Sequence, residues 1–380
     1  MKYRALGKTG LQVSEIGLGG EWLERCSADE VFEVVRRCEQ AGINILDCWM
    51  PNPEVRSNIG AAIAEHRDRW IVQGHIGATW QDGQYVKTRD LSKVRHAFED
   101  LLTRFRTDYM DLGMIHYVDE PAELTRLFEG EYMDYVRELK AAGKIRHIGL
   151  STHNPDVARA AALSGLVEVI MFSVNPAFDM MPPSEDLNVY FKTIEEGHLE
   201  RIAPERRELY QICAREGVGI TVMKGFAGGR LLDAKASPFG TALTPVQCIH
   251  YALTRPAVAS VLAGYSTEAH VDAAVAYETA SETERDYTAV LASVSGVSAS
   301  GQCTYCGHCA PCPEAIDIAM VNKLYDLAAM QAEVPASVRA HYRELAKTAD
   351  DCIGCGGCEE RCPFGVAVVA RMAKARALFQ

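Results

Sequence analysis

Eight of the chain's thirteen cysteines fall in two short runs near its C-terminal end, CTYCGHCAPCP and CIGCGGCEERCP. The first holds Cys303, Cys306, Cys309 and Cys312 before Pro313, and the second holds Cys352, Cys355, Cys358 and Cys362 before Pro363. Three thiolates at two-residue intervals converge on one face of a small inorganic centre, with a fourth supplied from elsewhere in the chain. Structural zinc is instead held by paired C-x2-C units, and disulfides are disfavoured in a reducing compartment. The spacing therefore points to iron–sulfur ligation. Gly307, Gly354, Gly356 and Gly357 let the backbone curl close enough for N–H groups to bond inorganic sulfide. The other cysteines, Cys26, Cys38, Cys48, Cys213 and Cys248, are scattered.

The remaining chemistry must be positioned by the preceding 280 or so residues, where short apolar runs alternate with helical patterns. Strands are expected at 13–19, 43–47, 70–76, 109–116, 145–151, 168–174, 218–224 and 258–264. Between them, Val31, Val34, Val35 and Cys38 mark a helical face opened by Ser27 and Glu30 as a capping box. Leu91, Val94, Phe98, Leu101, Leu102 and Phe105 mark another. Eight such units predict an α/β fold, a (β/α)8 TIM barrel. No strand runs into G-x-G-x-x-G, which disfavours an open dinucleotide-binding sheet. Barrel chemistry gathers at the C-terminal strand ends, here Asp47, His75, His116, Ser151, Lys224 and Gly264.

One connection is long, from Asn175 to Glu205. Its apolar Phe178, Met180, Met181, Tyr190 and Phe191 predict a packed lid rather than disorder. A small-residue linker at 293–301 divides a barrel over residues 1–292 from a cysteine-rich unit over 301–380.

The 380 residues are 48% hydrophobic, enough for a full core, and carry a net charge of −12. That charge disfavours nucleic acids and anionic membranes as partners. No apolar run reaches the roughly 20 residues that span a bilayer. The opening MKYRALGKTG lacks the apolar core of a signal peptide, so a cytoplasmic location is the expectation. Oligomeric state is not legible.

KYRALGKTGLQVSEIGLGG, INILD, RSNIG, MIHYVD and KIRHIGLSTHN follow one another as they do in the aldo-keto reductases, which this chain resembles over nearly its whole length. With CTYCGHCAPCP added, it resembles the branch that carries a C-terminal ferredoxin-type domain. The two-cluster ferredoxin pattern implies one [4Fe–4S] centre on Cys303, Cys306, Cys309 and Cys362. It implies a second on Cys352, Cys355, Cys358 and Cys312. The first run has two residues, not three, before its fourth cysteine.

The aldo-keto reductase resemblance implies a nicotinamide nucleotide across the strand ends and a tetrad of aspartate, tyrosine, lysine and histidine. Asp47 and His116 match the aspartate and the histidine, but Asn52 stands at the tyrosine position and His75 at the lysine position. Asp47 is then expected to hold His75, a pair able to move a proton near neutral pH. Tyr85 and Tyr117 are the candidate replacement phenols, with Cys48 and Trp49 lining the pocket. Ser151 and Thr152 lie where the family holds the nicotinamide carboxamide, with Met171 in place of the usual glutamine. Lys224 and Gly225, in KGFAGGRL, resemble the loop over the pyrophosphate. Gly264, Ser266 and Thr267, in AGYSTEAHVDAAV, resemble the adenosine end. That stretch offers His270 but no lysine or arginine for a 2′-phosphate, so NADH is preferred over NADPH.

The resulting expectation is an iron–sulfur oxidoreductase that acts on a small carbonyl or hydroxyl compound and exchanges electrons with a ferredoxin or other carrier. One alternative is a nucleotide-independent reductase fed by ferredoxin. Another is a non-redox lyase or isomerase using Asp47, His75 and His116 beside structural clusters. A third is a non-catalytic electron-transfer subunit.

Overall fold

A computed structural model describes residues 1–180, 203–287, 290, 303, 305, 307–329, 334 and 336–380. The chain opens with a hairpin of β1 (Tyr3–Ala5) and β2 (Gln12–Ser14), then enters a closed parallel barrel. The barrel runs β3 (Ile16–Gly19), β4 (Ile45–Cys48), β5 (Ile71–Ile76) and β8 (Met110–Ile115), and continues through β9 (Ile145–Thr152), β10 (Val169–Ser173), β11 (Gly219–Met223) and β12 (Val258–Gly264). It closes where Val261 pairs with Ile16 and Gly264 with Gly19. All eight expected strands are present. Their near-continuous burial reflects core on one face and helices on the other.

Inside the barrel the lower half is apolar. Leu6 and Val13 of the hairpin region plug it, beneath Ile45, Leu112, Met114 and Met171. The filling is tight: a Cβ at Gly149 would stand 2.3 Å from the Met114 sulfur. Above this plug the inward side chains turn polar, beginning with Gln73, Asp47 and His75. The change from apolar to polar marks the mouth.

The helices form as their sequences predict. Ser27 caps the helix Ala28–Ala41 in a capping box with Glu30, and Val31, Val34, Val35 and Cys38 are buried. Asp90 caps the helix Leu91–Arg104, whose buried face is Val94, Phe98, Leu101 and Leu102. A departure from the simple alternation lies between β5 and that helix. There a hairpin, β6 (Ala78–Gln81) with β7 (Gln84–Lys87), pairs Trp80 with Tyr85 across an Asp82–Gly83 turn. Both turn residues have positive φ, at 49° and 77°, as a two-residue hairpin turn demands.

The long connection after β10 begins as a helical turn, Pro176–Asp179, with Phe178 and Met180 buried. Met181, Tyr190 and Phe191 lie outside the described residues, as does the 293–301 linker. The two described ends of the connection meet: Ala203 N–H bonds the Asp179 carbonyl at 2.7 Å. The Asp179 carboxylate, fully buried, accepts from Arg206 at 3.2 Å, Tyr210 at 2.5 Å and Tyr251 at 2.8 Å.

The C-terminal part packs on the outside of the barrel. Asp326, on the helix Ile318–Ala329, pairs with Arg207 of the barrel helix Pro204–Glu216 at 3.4 Å and with Arg371 at 2.7 Å. His308 reaches Asp286 at 2.8 Å.

Asp179→Ala would remove the buried carboxylate that Arg206, Tyr210 and Tyr251 share. It should cost about 3–5 kcal/mol of stability in a urea titration. A loss below about 1 kcal/mol would show that this carboxylate does not hold the connection to the helical layer.

Candidate functional site

Asp47 stands at the end of β4, and Gln73 and His75 stand two residues apart on β5, so both β5 side chains face inward beside it. His116 follows the end of β8, its N–H held by the Ile76 carbonyl at 3.0 Å. These neighbours in the barrel wall form one line of hydrogen bonds. Asp47 Oδ1 meets His75 Nε2 at 2.9 Å, and His75 Nδ1 meets His116 Nδ1 at 2.8 Å. His116 Nε2 meets the Tyr85 hydroxyl at 2.8 Å.

The proton positions follow from the donors available. Gln73 Nε2 also donates to Asp47 Oδ1 at 2.9 Å, so that oxygen is an acceptor and His75 Nε2 carries a proton. With neutral rings, His75 Nδ1 then accepts from His116 Nδ1–H, and His116 Nε2 accepts from Tyr85 O–H. Burial drives the His116 pKa well below its ordinary value, with the Arg89 and Lys87 charges adding to the effect, which keeps the ring neutral. Burial, together with Tyr117, pushes the Tyr85 phenol up to about 12, so it stands protonated.

The phenol arrives from the inserted hairpin rather than from the loop after β4. Lys87, on β7, and Arg89 both grip Glu123 at 2.9 Å. Arg89 also donates to the carbonyls of His116, at 2.7 Å, and Tyr117, at 3.1 Å. Burial raises the Glu123 carboxyl, but Arg89 and Lys87 outweigh it and hold the group below its ordinary value. Trp49 stacks on His116 with ring centroids 5.8 Å apart and meets Tyr85 edge-on at 5.2 Å. Tyr85 remains 37% exposed, and it is the member of the line that solvent reaches most.

A second polar group occupies the ends of β8 and β9. Asp119 accepts from Thr152 Oγ1 at 2.8 Å and from His153 N at 2.7 Å, and its other oxygen meets His153 Nδ1 at 2.9 Å. Burial raises Asp119, but the His153 and Thr152 bonds hold it below the usual carboxylate range. The Tyr117 ring lies edge-on to both His116 and His153.

The other expected site residues divide. Asn52 caps the helix Pro53–Ile63, accepting Glu54 N–H at 2.9 Å, so its side chain serves the helix. Ser151 accepts Tyr117 N–H at 2.8 Å, and the Thr152 hydroxyl donates to Asp119. Lys224 has φ of 56° at the end of β11, and its carbonyl is held by Asn175. Gly225 lies against Val261, and Gly228 and Gly229 follow with positive φ and open space over their Cα atoms. The Trp22 indole covers Gly264: a Cβ there would stand 2.1 Å from its ring. Ser266 closes on His270, and Thr267 caps the helix Glu268–Val275.

A nucleotide is therefore matched unevenly. Lys224, Gly225 and the Gly228–Gly229 turn fit a diphosphate, whose oxygens need close backbone approach and positive charge. The carboxamide end is poorer, with Thr152 engaged and Met171 apolar. In the C-terminal part, Cys312, Cys352, Cys355 and Cys358 line one cavity walled by Ile316, Ile318, Val369 and Met372. Four thiols round an apolar cavity fit an iron–sulfur cube. Cys303, Cys309 and Cys362 are half-buried, and Val366 N–H bonds the Cys362 sulfur at 3.5 Å. Cys306 lies outside the described residues.

Sequence reasoning missed Gln73 as well as the Asp119–His153 pair. Gln73 carried a signal, since it shares the β5 face of His75. Asp119 and His153 carried a weaker one, each lying just past a strand end.

Residues 15–241 match the model of the Aldo/keto reductase family, and residues 299–366 match a 4Fe-4S dicluster domain. An uncharacterized oxidoreductase of Bacillus subtilis, YqkF, is 28% identical over 281 residues, covering 70% of this chain and 87% of that protein. The NADH-specific methylglyoxal reductase of Escherichia coli is 26% identical over 192 residues, covering 45% of this chain and 58% of that protein. A Bacillus halodurans aldo-keto reductase in its holo form superposes with a TM-score of 0.57 at 24% identity, covering 78% of this chain and 97% of that one. At that identity the likeness concerns the fold alone.

At pH 6.5, nitrogen NMR of labelled histidine should find His116 neutral, with its proton on Nδ1. Its titration should lie well below the ordinary histidine value, in the direction burial dictates. A doubly protonated His116 ring at that pH would overturn the assigned polarity of the line.

Proposed function

The chain belongs to the aldo/keto reductase family and carries a 4Fe-4S dicluster domain, and from that premise we propose that its barrel interconverts a small carbonyl and hydroxyl compound through the Asp47–His75–His116–Tyr85 line. The observation that carries this reading is the unbroken set of contacts at 2.9, 2.8 and 2.8 Å, ending on a phenol at the mouth.

Tyr85 donates its proton inward, so its oxygen lone pairs face a substrate. A substrate hydroxyl gives its proton to the Tyr85 oxygen while the Tyr85 proton passes to His116 Nε2. The His116 Nδ1 proton then moves to His75 Nδ1, and the His75 Nε2 proton moves to Asp47. In the reductive direction each step reverses, and Tyr85 protonates the carbonyl oxygen. Because the phenol is pushed up to about 12, it serves as a neutral donor, and its ionisation must coincide with transfer along the line. The line thus fills the roles of the family's tyrosine and lysine, for which Asn52 and His75 stand here. Trp49 and the hairpin shield the line from water, which strengthens each bond.

A nicotinamide nucleotide would give or take a hydride, with Lys224, Gly225 and the Gly228–Gly229 turn holding its diphosphate. A nucleotide-independent reading, with electrons supplied through the clusters, is favoured by a different set of observations. These are the Thr152 hydroxyl committed to Asp119, the apolar Met171 and the Trp22 indole over Gly264.

The test is an anaerobic assay over a panel of small aldehydes, ketones and sugars, driven in parallel by NADH and by dithionite-reduced viologen. Tyr85→Phe should lower kcat by about 100-fold or more with little change in KM. Unchanged turnover in Tyr85→Phe would refute the relay. Turnover with viologen but not NADH would establish the nucleotide-independent reading.

Metal content is a separate check. Anaerobically purified protein should contain about eight irons and matching labile sulfide. Substituting Cys355 by Ser should weaken the cluster signal; zinc in place of iron would overturn the cluster reading.

A further inference from the structure

The two cysteine runs sit in different surroundings. The first lies against the barrel. Tyr305, between Cys303 and Cys306, donates to Asp326 at 2.9 Å, and Asp326 pairs with Arg207 of the barrel helix Pro204–Glu216. His308, beside Cys309, meets Asp286 at 2.8 Å. The second run reaches solvent at its start, over Ile353–Cys355. Cys355 is exposed, and Ile353, beside Cys352, is 64% exposed, the highest value for a large apolar side chain among the described residues. Arg361 joins the two regions by donating to the carbonyls of Cys309, at 2.9 Å, and Pro311, at 2.8 Å.

Carboxylates outnumber cations in the segments that flank Ile353, although Arg361 lines the same cavity. Asp350 and Asp351 precede it, Glu359 and Glu360 follow in the same run, and Glu314 follows Pro313. Lys347 answers Asp351, and Arg376 answers Asp350. A [4Fe–4S] centre on four thiolates adds further negative charge. An exposed isoleucine alone means little, since single apolar side chains are common on surfaces. Beside an exposed cluster thiol and within an acidic rim, it has the makeup of a small transient interface, an apolar centre with a charged margin.

We propose that the Ile353–Cys355 edge is where a redox protein with a basic face docks, and that the second cysteine run holds the cluster that exchanges electrons with it. The inference rests on the cluster reading above. Cys312, Cys352, Cys355 and Cys358 would hold the cluster that exchanges one electron with the partner's one-electron centre, the one oxidised by one electron as the other is reduced by one. Cys303, Cys309 and Cys362 would help to hold the other cluster, between this one and the barrel. The acidic rim selects for charge and speeds encounter, and Ile353 supplies the apolar contact.

The experiment uses the full chain and a basic c-type cytochrome as the probe protein. Iron, sulfide and the electron paramagnetic resonance of the dithionite-reduced protein are measured first, so that loss of clusters is recognised as failure of the cluster reading. In anaerobic stopped flow, the reduced protein should reduce the cytochrome in a bimolecular step that slows at least tenfold between low and moderately high salt. Ile353→Ser should weaken calorimetric binding of the oxidised partners about tenfold or more. Glu360→Lys, which leaves the apolar centre intact, should lower the association rate severalfold. Both variants should keep wild-type iron and resonance. Salt-independent transfer, or wild-type binding and rates in both intact variants, would overturn the proposal. So would a wild-type dimer that Ile353→Ser dissociates with no effect on the cytochrome, because the edge would then bind a second copy of the chain.

Discussion

Two imidazole nitrogens face each other at 2.8 Å in the barrel mouth, His75 Nδ1 and His116 Nδ1. They can bond only if one carries a proton and the other does not. The contact alone does not say which one. With both rings neutral, the Asp47 acceptor places the His75 proton on Nε2, and the contact then leaves His116 Nε2 to accept from Tyr85. The neutrality of His116, imposed by burial and by nearby cations, removes a charged state that would break the pattern. The polarity of the line thus depends on Asp47 at one end and on the contact between strands β5 and β8.

Much of the surrounding architecture serves to hold that contact. The apolar plug below it, from Leu6 and Val13 to Met114 and Met171, excludes water from the inner end of the line. Gln73 gives Asp47 a second donor. Outside, Glu123 gathers Lys87 and Arg89, so the hairpin bearing Tyr85 is anchored to the helix after β8, and Arg89 pins the backbone of His116 itself. The cations near His116 thus have two roles: they fasten the insertion, and they lower the basicity of the imidazole it covers.

The cysteine-rich part stands in a different relation to the barrel. It is fastened to the outer helices through Asp326 and through His308 with Asp286, not to the mouth. In the proposed reading, electrons and protons have separate routes: protons would move along the line inside the mouth, and clusters held by the cysteine runs would lie on the flank of the barrel. One surface can change to suit a redox partner without disturbing the groups that face the substrate.

Local patterns in the sequence were enough to identify both cysteine runs, the eight strands and the placement of Asp47, His75 and His116 at strand ends. Each depends on spacing within a few residues: two-residue intervals between thiolates, apolar runs of strand length, a capping box at Ser27 and Glu30. The phenol was not legible in this way. Tyr85 was one of two candidates, because β6 and β7 are four residues each and of mixed polarity, and only the Asp82–Gly83 turn announced them. What brings Tyr85 to His116 is the grip of Lys87 and Arg89 on Glu123, residues more than thirty positions apart. The Asp119–His153 pair and the cover of Trp22 over Gly264 were equally invisible. Hydrogen-bond direction and steric cover depend on side chains from distant segments meeting within about 3 Å, and no local periodicity encodes such a meeting. Local spacing specifies the barrel, both cysteine runs and the strand-end positions of Asp47, His75 and His116; which phenol meets His116 emerges only when distant segments pack together.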